Sequence, residues 1–252
     1  MSASDRPKKN TGQHHVDLGE RGTDKNGDSI SLDRRLFMKF TAFGTCTDPA
    51  PAIKALENLG ADGVLYLNVN DPQGIGILIM SENPDYFVTN LRRTLSEPPF
   101  SNMCCKSEFE MLGRTYSIGY ETDLVETLFT RPQQRVTNPD LRWAVWYPLR
   151  RAKNFETLSV SHKRRILAEH GTLGKRFGSA GLASDIRLAC HGLDKNDNDF
   201  IVGLLGENLH PLSTVIQEMR GTEQTSQYLD SLGPFFVGKI AWQSKQAKTK
   251  KI

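Results

Sequence analysis

His170, Tyr147 and Arg187 are the side chains of this sequence best suited to chemistry, and each falls where a regular element would hold it. Ile166, Leu167, Leu173 and Phe177 recur at three- and four-residue spacing, and His170 shares their stripe on a helix expected over 160–177. A neutral imidazole on an apolar stripe is either a core histidine with one hydrogen bond or a metal ligand. In the second case it would reach a cofactor iron from a dry helix face, as an axial histidine does in haem proteins. Gly171 and Gly174 thin the helix surface beside it, so a flat macrocycle could approach closely; a break in the helix would explain them equally well.

Arg187 alternates with Ile186 and Leu188 in an expected strand, and so faces with Ala189 and His191. A guanidinium among such apolar neighbours is expected to be half-buried and to need an anion. That anion is either a structural carboxylate, Asp185 or Asp194, or a bound anion or peroxide on which the guanidinium converges several donors. Tyr147 ends the run Trp143-Ala144-Val145-Trp146, just before Pro148, where its phenol could be a core aromatic with a satisfied hydroxyl. Arg150 and Arg151 follow at once. With Arg131 and Arg135 upstream they form either a cationic rim for carboxylates or a solvated surface. Glu223 and Thr225 stand just after a helix ending at Met219-Arg220. No P-loop, G-x-S-x-G, H-E-x-x-H or dinucleotide fingerprint is present, and Gly74-Ile75-Gly76 lies in a strand pair, so no motif dictates a reaction by itself.

The elements that must position these residues follow from periodicity. Strands are expected over 36–46, 63–69, 75–80 and 116–120, with helices over 51–59 and from Asn83-Pro84 onward, where Tyr86, Phe87, Leu91 and Leu95 recur at helical spacing. That order, β-α-β-β-α-β, is the split βαβ of a ferredoxin-like unit. A second set has strands over 143–149, 184–191, 200–205 and 234–242, and helices over 160–177, capped by Ser159 or Ser161, and 211–220. The expected organisation is an unstructured polar segment 1–32, an N-terminal half 33–121, a linker 122–141, a C-terminal half 142–243 and a basic tail 244–252. Residues 1–32 contain no Phe, Tyr or Trp and cannot offset the entropy of ordering. His14-His15 within them lacks spaced partners and is a poor metal site.

Composition narrows the function classes. Across 252 residues, 38% hydrophobic and 24% charged, the chain suits a soluble globular protein and has no apolar run long enough to span a membrane. The 32 basic residues exceed the 29 acidic by three, but Lys245, Lys248, Lys250 and Lys251 crowd the last eight positions. The body without them has no basic surplus, which disfavours nucleic acid as a partner. Cys46, Cys104, Cys105 and Cys190 form no disulfide framework, so a reducing, cytoplasmic setting is expected, with Cys104-Cys105 read as buried small hydrophobes rather than a redox pair. Asp33-Arg34-Arg35-Leu36-Phe37-Met38-Lys39 has the look of a twin-arginine export signal. Its apolar stretch is short and interrupted, however, and it reads as the first strand of the fold.

Taken together these stretches resemble the chlorite dismutase family of haem proteins, most closely its coproheme decarboxylase branch. The resemblance rests on Tyr147-Pro148-Leu149-Arg150-Arg151, Asn154-Phe155-Glu156-Thr157-Leu158-Ser159, Glu169-His170-Gly171-x-x-Gly174-Lys175, Asp197-Asn198-Asp199-Phe200, Glu218-Met219-Arg220-Gly221-Thr222-Glu223 and Gly233-Pro234-Phe235-Phe236-Val237-Gly238. It implies an α+β fold of two ferredoxin-like βαββαβ halves forming a dimeric α/β barrel, in a ring-shaped homo-oligomer, a pentamer. It implies His170 as the proximal iron ligand, with Glu223 accepting its other ring N–H. Tyr147 would be the tyrosine that is oxidised and attacks propionates, while Arg131, Arg151 and Thr225 would hold carboxylates. Arg187 falls at the distal position, where decarboxylases of this type carry Gln or another residue and chlorite dismutases carry Arg. About four extra residues separate it from His170 relative to the family pattern. The implied activity is peroxide-dependent conversion of iron-coproporphyrin III to haem b, with the porphyrin and hydrogen peroxide as substrates. The alternatives are chlorite breakdown to chloride and dioxygen at haem b, a non-catalytic haem-binding protein, or an interaction module that binds no haem.

Overall fold

The structure, a computed structural model, describes residues 16–245; His14-His15 and the end of the basic tail lie outside them. Strands β1 (Glu20–Thr23), β2 (Ser29–Leu32) and β3 (Phe37–Gly44) lead into helix α1 (Ala50–Leu59), then β4 (Gly63–Asn68) and β5 (Ile75–Ser81). A π turn at Phe87–Leu91 runs into α2 (Arg92–Leu95), followed by β6 (Cys104–Cys105) and β7 (Met111–Arg114). After α3 (Arg131–Val136) come β8 (Trp143–Arg151), α4 (Lys153–Glu156), α5 (Val160–Ser179), β9 (Ser184–Ala189) and β10 (Phe200–Gly206). The chain finishes with α6 (Leu209–Arg220), α7 (Glu223–Gln227), β11 (Leu229–Leu232) and β12 (Phe236–Gln243).

Apart from the β1–β2 hairpin, the strands form one large antiparallel sheet that returns on itself. The pairing runs β10-β9-β7-β3-β5-β4-β12-β8, and β8 pairs back to β10 along its length. The two sets of four share one order: β7-β3-β5-β4 and β12-β8-β10-β9 both read fourth, first, third, second. Inside the closed sheet lie Met38, Phe40, Tyr66, Leu78, Met111, Trp146, Leu188, Ile201 and Phe236, all nearly or fully buried. So many large rings fit because glycine stands opposite them. A Cβ on Gly203 would meet the Trp146 ring at 2.4 Å, and one on Gly76 would meet Phe236 at 2.5 Å.

The two outer faces differ, and the difference locates the site. On the N-terminal set, Leu65, Ile75, Ile77 and Ile79 are sealed by Ala52 and Leu56 of α1 and by Phe87, Leu91 and Phe100. On the C-terminal set, α5 and α6 contribute Phe177, Leu212 and Val215, yet Phe200 and Val202 remain only half-buried and Arg187 is exposed. One face is a finished core and the other is left partly uncovered.

Several expectations are corrected. Residues 16–32 are not unstructured, because their stability is tertiary: Ile30 and Leu32 pack on the interior cluster and Glu20 meets Arg114 at 2.7 Å. The strand expected at 116–120 lies upstream at Met111–Arg114. There the Glu121 carboxylate gathers the backbone N–H groups of Ile118, Gly119 and Tyr120 into a loop, with Gly119 at φ 93°. The segment 122–141 is helical in two pieces whose Leu124, Leu128 and Val136 pack into the interior cluster. Cys104 and Cys105 are exposed, not buried, since their short strand pairs at the end of β3. Arg34 and Arg35 stand at the head of β3, paired with Glu82 at 2.6 Å and Asp33 at 2.7 Å. No helix among the described residues is long and apolar enough to cross a membrane.

Candidate functional site

Register places Tyr147 of β8, Val202 of β10 and Arg187 of β9 side by side, a row across three strands on the uncovered outer face. Directly opposed residues in an antiparallel ladder point the same way, so these three share one surface with Leu149 and Phe200. Tyr147 is 8% exposed, its ring 4.7 Å from that of Phe235. Burial, with a smaller push from Asp185, raises its phenol above the ordinary value, so it stays an O–H donor at neutral pH. No hydrogen bond to that hydroxyl occurs among the described residues.

α5 lies over this face. Ser159 caps it, its hydroxyl accepting the His162 amide at 3.3 Å, and the helix runs unbroken through Gly171 and Gly174. Ile166 and Phe177 are buried and His170 half-buried on the inward side, whereas Leu167 points outward at 41% exposure. The His170 Nδ1 is buried without a hydrogen-bond partner. Burial holds the ring below its usual pKa, and the positive charges of Arg187 and Arg151 add to this, so the imidazole is neutral and able to ligate a metal. Beside it, a Cβ on Gly171 would touch nothing within 4 Å and one on Gly174 only the Met219 methyl at 3.5 Å.

Glu223 is not the partner of His170. Its Oε1 lies 2.9 Å from His162 Nε2, and its Oε2 3.0 Å from Arg165 Nη2. Residue spacing could not have separated the two histidines, because α7 crosses α5 at its earlier turns. Arg187 is 54% exposed rather than half-buried, with its Nε 3.0 Å from Asp185 Oδ2. Asp185 also takes Arg135, through its side chain at 3.3 Å and its backbone carbonyl. The structural carboxylate therefore holds the Nε of Arg187, whose side chain also lines a cleft of about 90 Å³ with Tyr116, Arg131 and Arg135.

Arg151 is sandwiched between the rings of Phe155 and Phe200, 4.6 Å from each centroid, with its Nε buried and unpartnered. Burial lowers its pKa without discharging it. It borders a pocket of about 530 Å³ shared with Arg150, Lys153, Glu156, His191 and Asp199. Arg131 reaches Glu126 at 3.5 Å, and Thr225 sits in α7 with its hydroxyl 3.3 Å from that of Thr222. The structure thus gathers His170, Tyr147, Arg187 and Arg151 about one face and draws Glu223 away.

Tyr116, which its sequence places only in an expected strand, joins this face. It comes from the N-terminal set, yet its ring lies 5.7 Å from Phe200. Burial raises its phenol, while the charges of Arg187 and Arg151 act the other way. Nothing in its sequence neighbourhood signals this, because the contact exists only where the two sets of strands meet.

The family model for chlorite dismutase matches residues 89–241, and the chain belongs to that family. None of the curated proteins matches the chain. Among solved structures it is similar to a chlorite dismutase mutant from Candidatus Nitrospira defluvii, at a TM-score of 0.65 and 13% identity, covering 84% of this chain and 93% of that one. It is also similar to the same organism's chlorite dismutase in complex with imidazole, at a TM-score of 0.63, 13% identity, and coverage of 84% and 93%. A haem-binding protein from Thermus thermophilus gives a TM-score of 0.63 at 18% identity, covering 83% of this chain and 92% of that one. At these identities the likeness establishes the mixed α+β fold with its large antiparallel sheet.

Proposed function

We propose that the chain binds an iron-porphyrin between α5 and the uncovered sheet face, and that it is a peroxide-dependent coproheme decarboxylase. The fit of the residues supports this reading. His170 offers a neutral ring with no protein partner, beside glycines that leave the helix surface open. Arg151, Arg187 and Arg131 supply cations for carboxylate side chains. The observation that carries the reading is Tyr147: buried, protonated, unpaired, and in register with Arg187.

When bound, the iron-porphyrin with peroxide supplies oxidising equivalents one electron at a time. His170 holds the macrocycle from the helix side. Tyr147 gives up an electron and its phenolic proton, then takes a hydrogen atom from the β-carbon of a propionate side chain held by the arginines. A propionate so activated by Tyr147 would lose carbon dioxide and a second electron and become a vinyl group. Each propionate consumes one hydrogen peroxide and one proton and yields one carbon dioxide and two waters. Phe235 and Leu149 border Tyr147 and keep water from quenching the phenoxyl.

The fold reading belongs with this proposal. The shared strand order of the two sets supports two ferredoxin-like halves, 33–121 and 142–243, closing one α/β barrel. A ring of five such chains in the cytoplasm is the assembly proposed with it, and light scattering on the purified protein measures its number. The deciding experiment follows porphyrin mass while peroxide is titrated into the coproheme complex. Two carbon dioxide units should be lost, and Tyr147→Phe should stop the reaction; full conversion by that variant would sink the reading.

The second reading, chlorite breakdown to chloride and dioxygen, is favoured by Arg187, whose terminal nitrogens can hold an oxyanion. Oxygen release from chlorite that disappears in Arg187→Ala would promote it.

A further inference from the structure

The closed sheet has one weak seam. β7 and β9 meet through a single register pair, Arg114 with Ala189, where the other ladders of the ring run over four pairs or more. Immediately past Arg114 the chain leaves the sheet as the loop 115–121, and this loop carries Tyr116 to Phe200 and lines the cleft beside Arg187 and Arg131. A loop at a weak seam needs outside support to hold a side chain in one place.

That support comes from the N-terminal hairpin. Glu20, its side chain only 13% exposed, accepts from Arg114 Nη1 at 2.7 Å and from the Ser117 amide at 2.9 Å. The Ser117 hydroxyl donates to the Arg21 carbonyl at 2.6 Å. Thr23 donates its amide to the Glu121 carbonyl at 3.0 Å and its hydroxyl to the Gly119 carbonyl at 3.1 Å. On the other flank, Thr115 exchanges hydrogen bonds with Leu36 at the start of β3, each 2.9 Å. Tyr116 is therefore held by both neighbours, one bound to β3 and the other to β1.

We propose that the β1–β2 hairpin is a clasp on the β7 side of the seam, fastening the loop 115–121, and that Glu20 is a positioning residue which holds Tyr116 in the porphyrin site. The proposal rests on the functional reading above for its ligand and on the hydrogen bonds just described for its geometry. A carboxylate shared between a guanidinium and a buried-side amide is the strongest of these links, so its removal frees the loop first.

The test compares wild type with Glu20→Ala, Glu20→Gln and Thr23→Val, each checked for folding by its thermal melt. In ligand-free protein, amide hydrogen exchange over 115–121 should accelerate at least about tenfold in Glu20→Ala while α5 is unchanged. Release of bound iron-coproporphyrin to excess apomyoglobin should quicken in the same variant. Glu20→Gln, which keeps an acceptor for the Ser117 amide, should recover much of both effects. Thr23→Val, which deletes one hydrogen bond and keeps the hairpin, should shift both in the same direction by less, and it carries the test if Glu20→Ala does not fold. Unchanged exchange overturns the clasp, and faster exchange with unaltered porphyrin release overturns the link to the site. A wild-type protein that takes up no iron-porphyrin removes the functional reading instead, and the exchange arm still decides the clasp.

Discussion

Glu223 Oε1 lies 2.9 Å from His162 Nε2, roughly two helical turns from His170, whose buried Nδ1 has no hydrogen-bond partner. A carboxylate on that second nitrogen would make the ring a stronger electron donor to a bound metal. Glu223 instead ties the first turns of α5 to α7, accepting from Arg165 as well and donating its own amide to Glu169 at 3.0 Å.

Glu223→Gln should therefore leave iron-porphyrin affinity within about twofold of wild type and cost about 1 kcal/mol of stability, since its partners are partly exposed. A Soret titration and a thermal melt read the two quantities. Loss of a carboxylate that supports the ligating histidine would lower affinity by roughly 10–100-fold, and that outcome would return Glu223 to His170.

His170→Ala should weaken iron-porphyrin binding by more than about 100-fold, beyond the effect of losing a supporting group alone. Free imidazole added to the variant should restore the Soret band, because the helix surface beside the deleted ring is open at Gly171. Unchanged affinity in the variant would assign the ligand elsewhere.

Arg187→Ala separates the two enzymatic readings. Asp185 keeps Arg135, so the strand end stays neutralised and the fold should hold. Loss of two carbon dioxide units from coproheme should continue at a rate within about tenfold, as one hydrogen-bonding cation among several is removed. Abolished oxygen release from chlorite, with a wild type that shows it, is the contrary result.

The cysteines should separate by reactivity toward iodoacetamide at pH 8, followed by peptide mass. Cys104, exposed, should react first. Cys105, though exposed, should be slower, because partial desolvation and then Glu110 raise its thiol. Cys190 is buried in the interior cluster, its thiol pushed up to about 12 by burial and by Asp194 and Asp199, and should react only after unfolding. With the folded value raised above 9.0, the protonated form favours the folded chain. Its contribution to stability is full below pH 9 and is lost as pH rises toward 12.

Local pattern made much of the frame legible. The stripe of Ile166, His170, Leu173 and Phe177 announces α5 and its inward face, and the alternation of Trp143 to Leu149 announces β8, because each periodicity is a property of one element. Leu167 shows the limit: three- and four-residue spacing admits a neighbour that the packing turns outward. The hairpin at 20–32 was hidden for a different reason. Its sequence lacks the aromatics that would stabilise it alone, and its anchors are Arg114, Ser117 and Glu121, nearly a hundred residues away.

What the chain carries in its own order of residues is the set of strands and helices, the histidine on a helix face and the tyrosine at a strand end, since these depend on neighbours within a few positions. Which of two histidines receives Glu223, that Asp185 also takes Arg135, and that Tyr116 crosses from one set of strands to the other were decided only when the sheet closed. Those contacts join residues far apart along the chain, and their energies depend on distances of a few ångströms that no spacing within a single element can set.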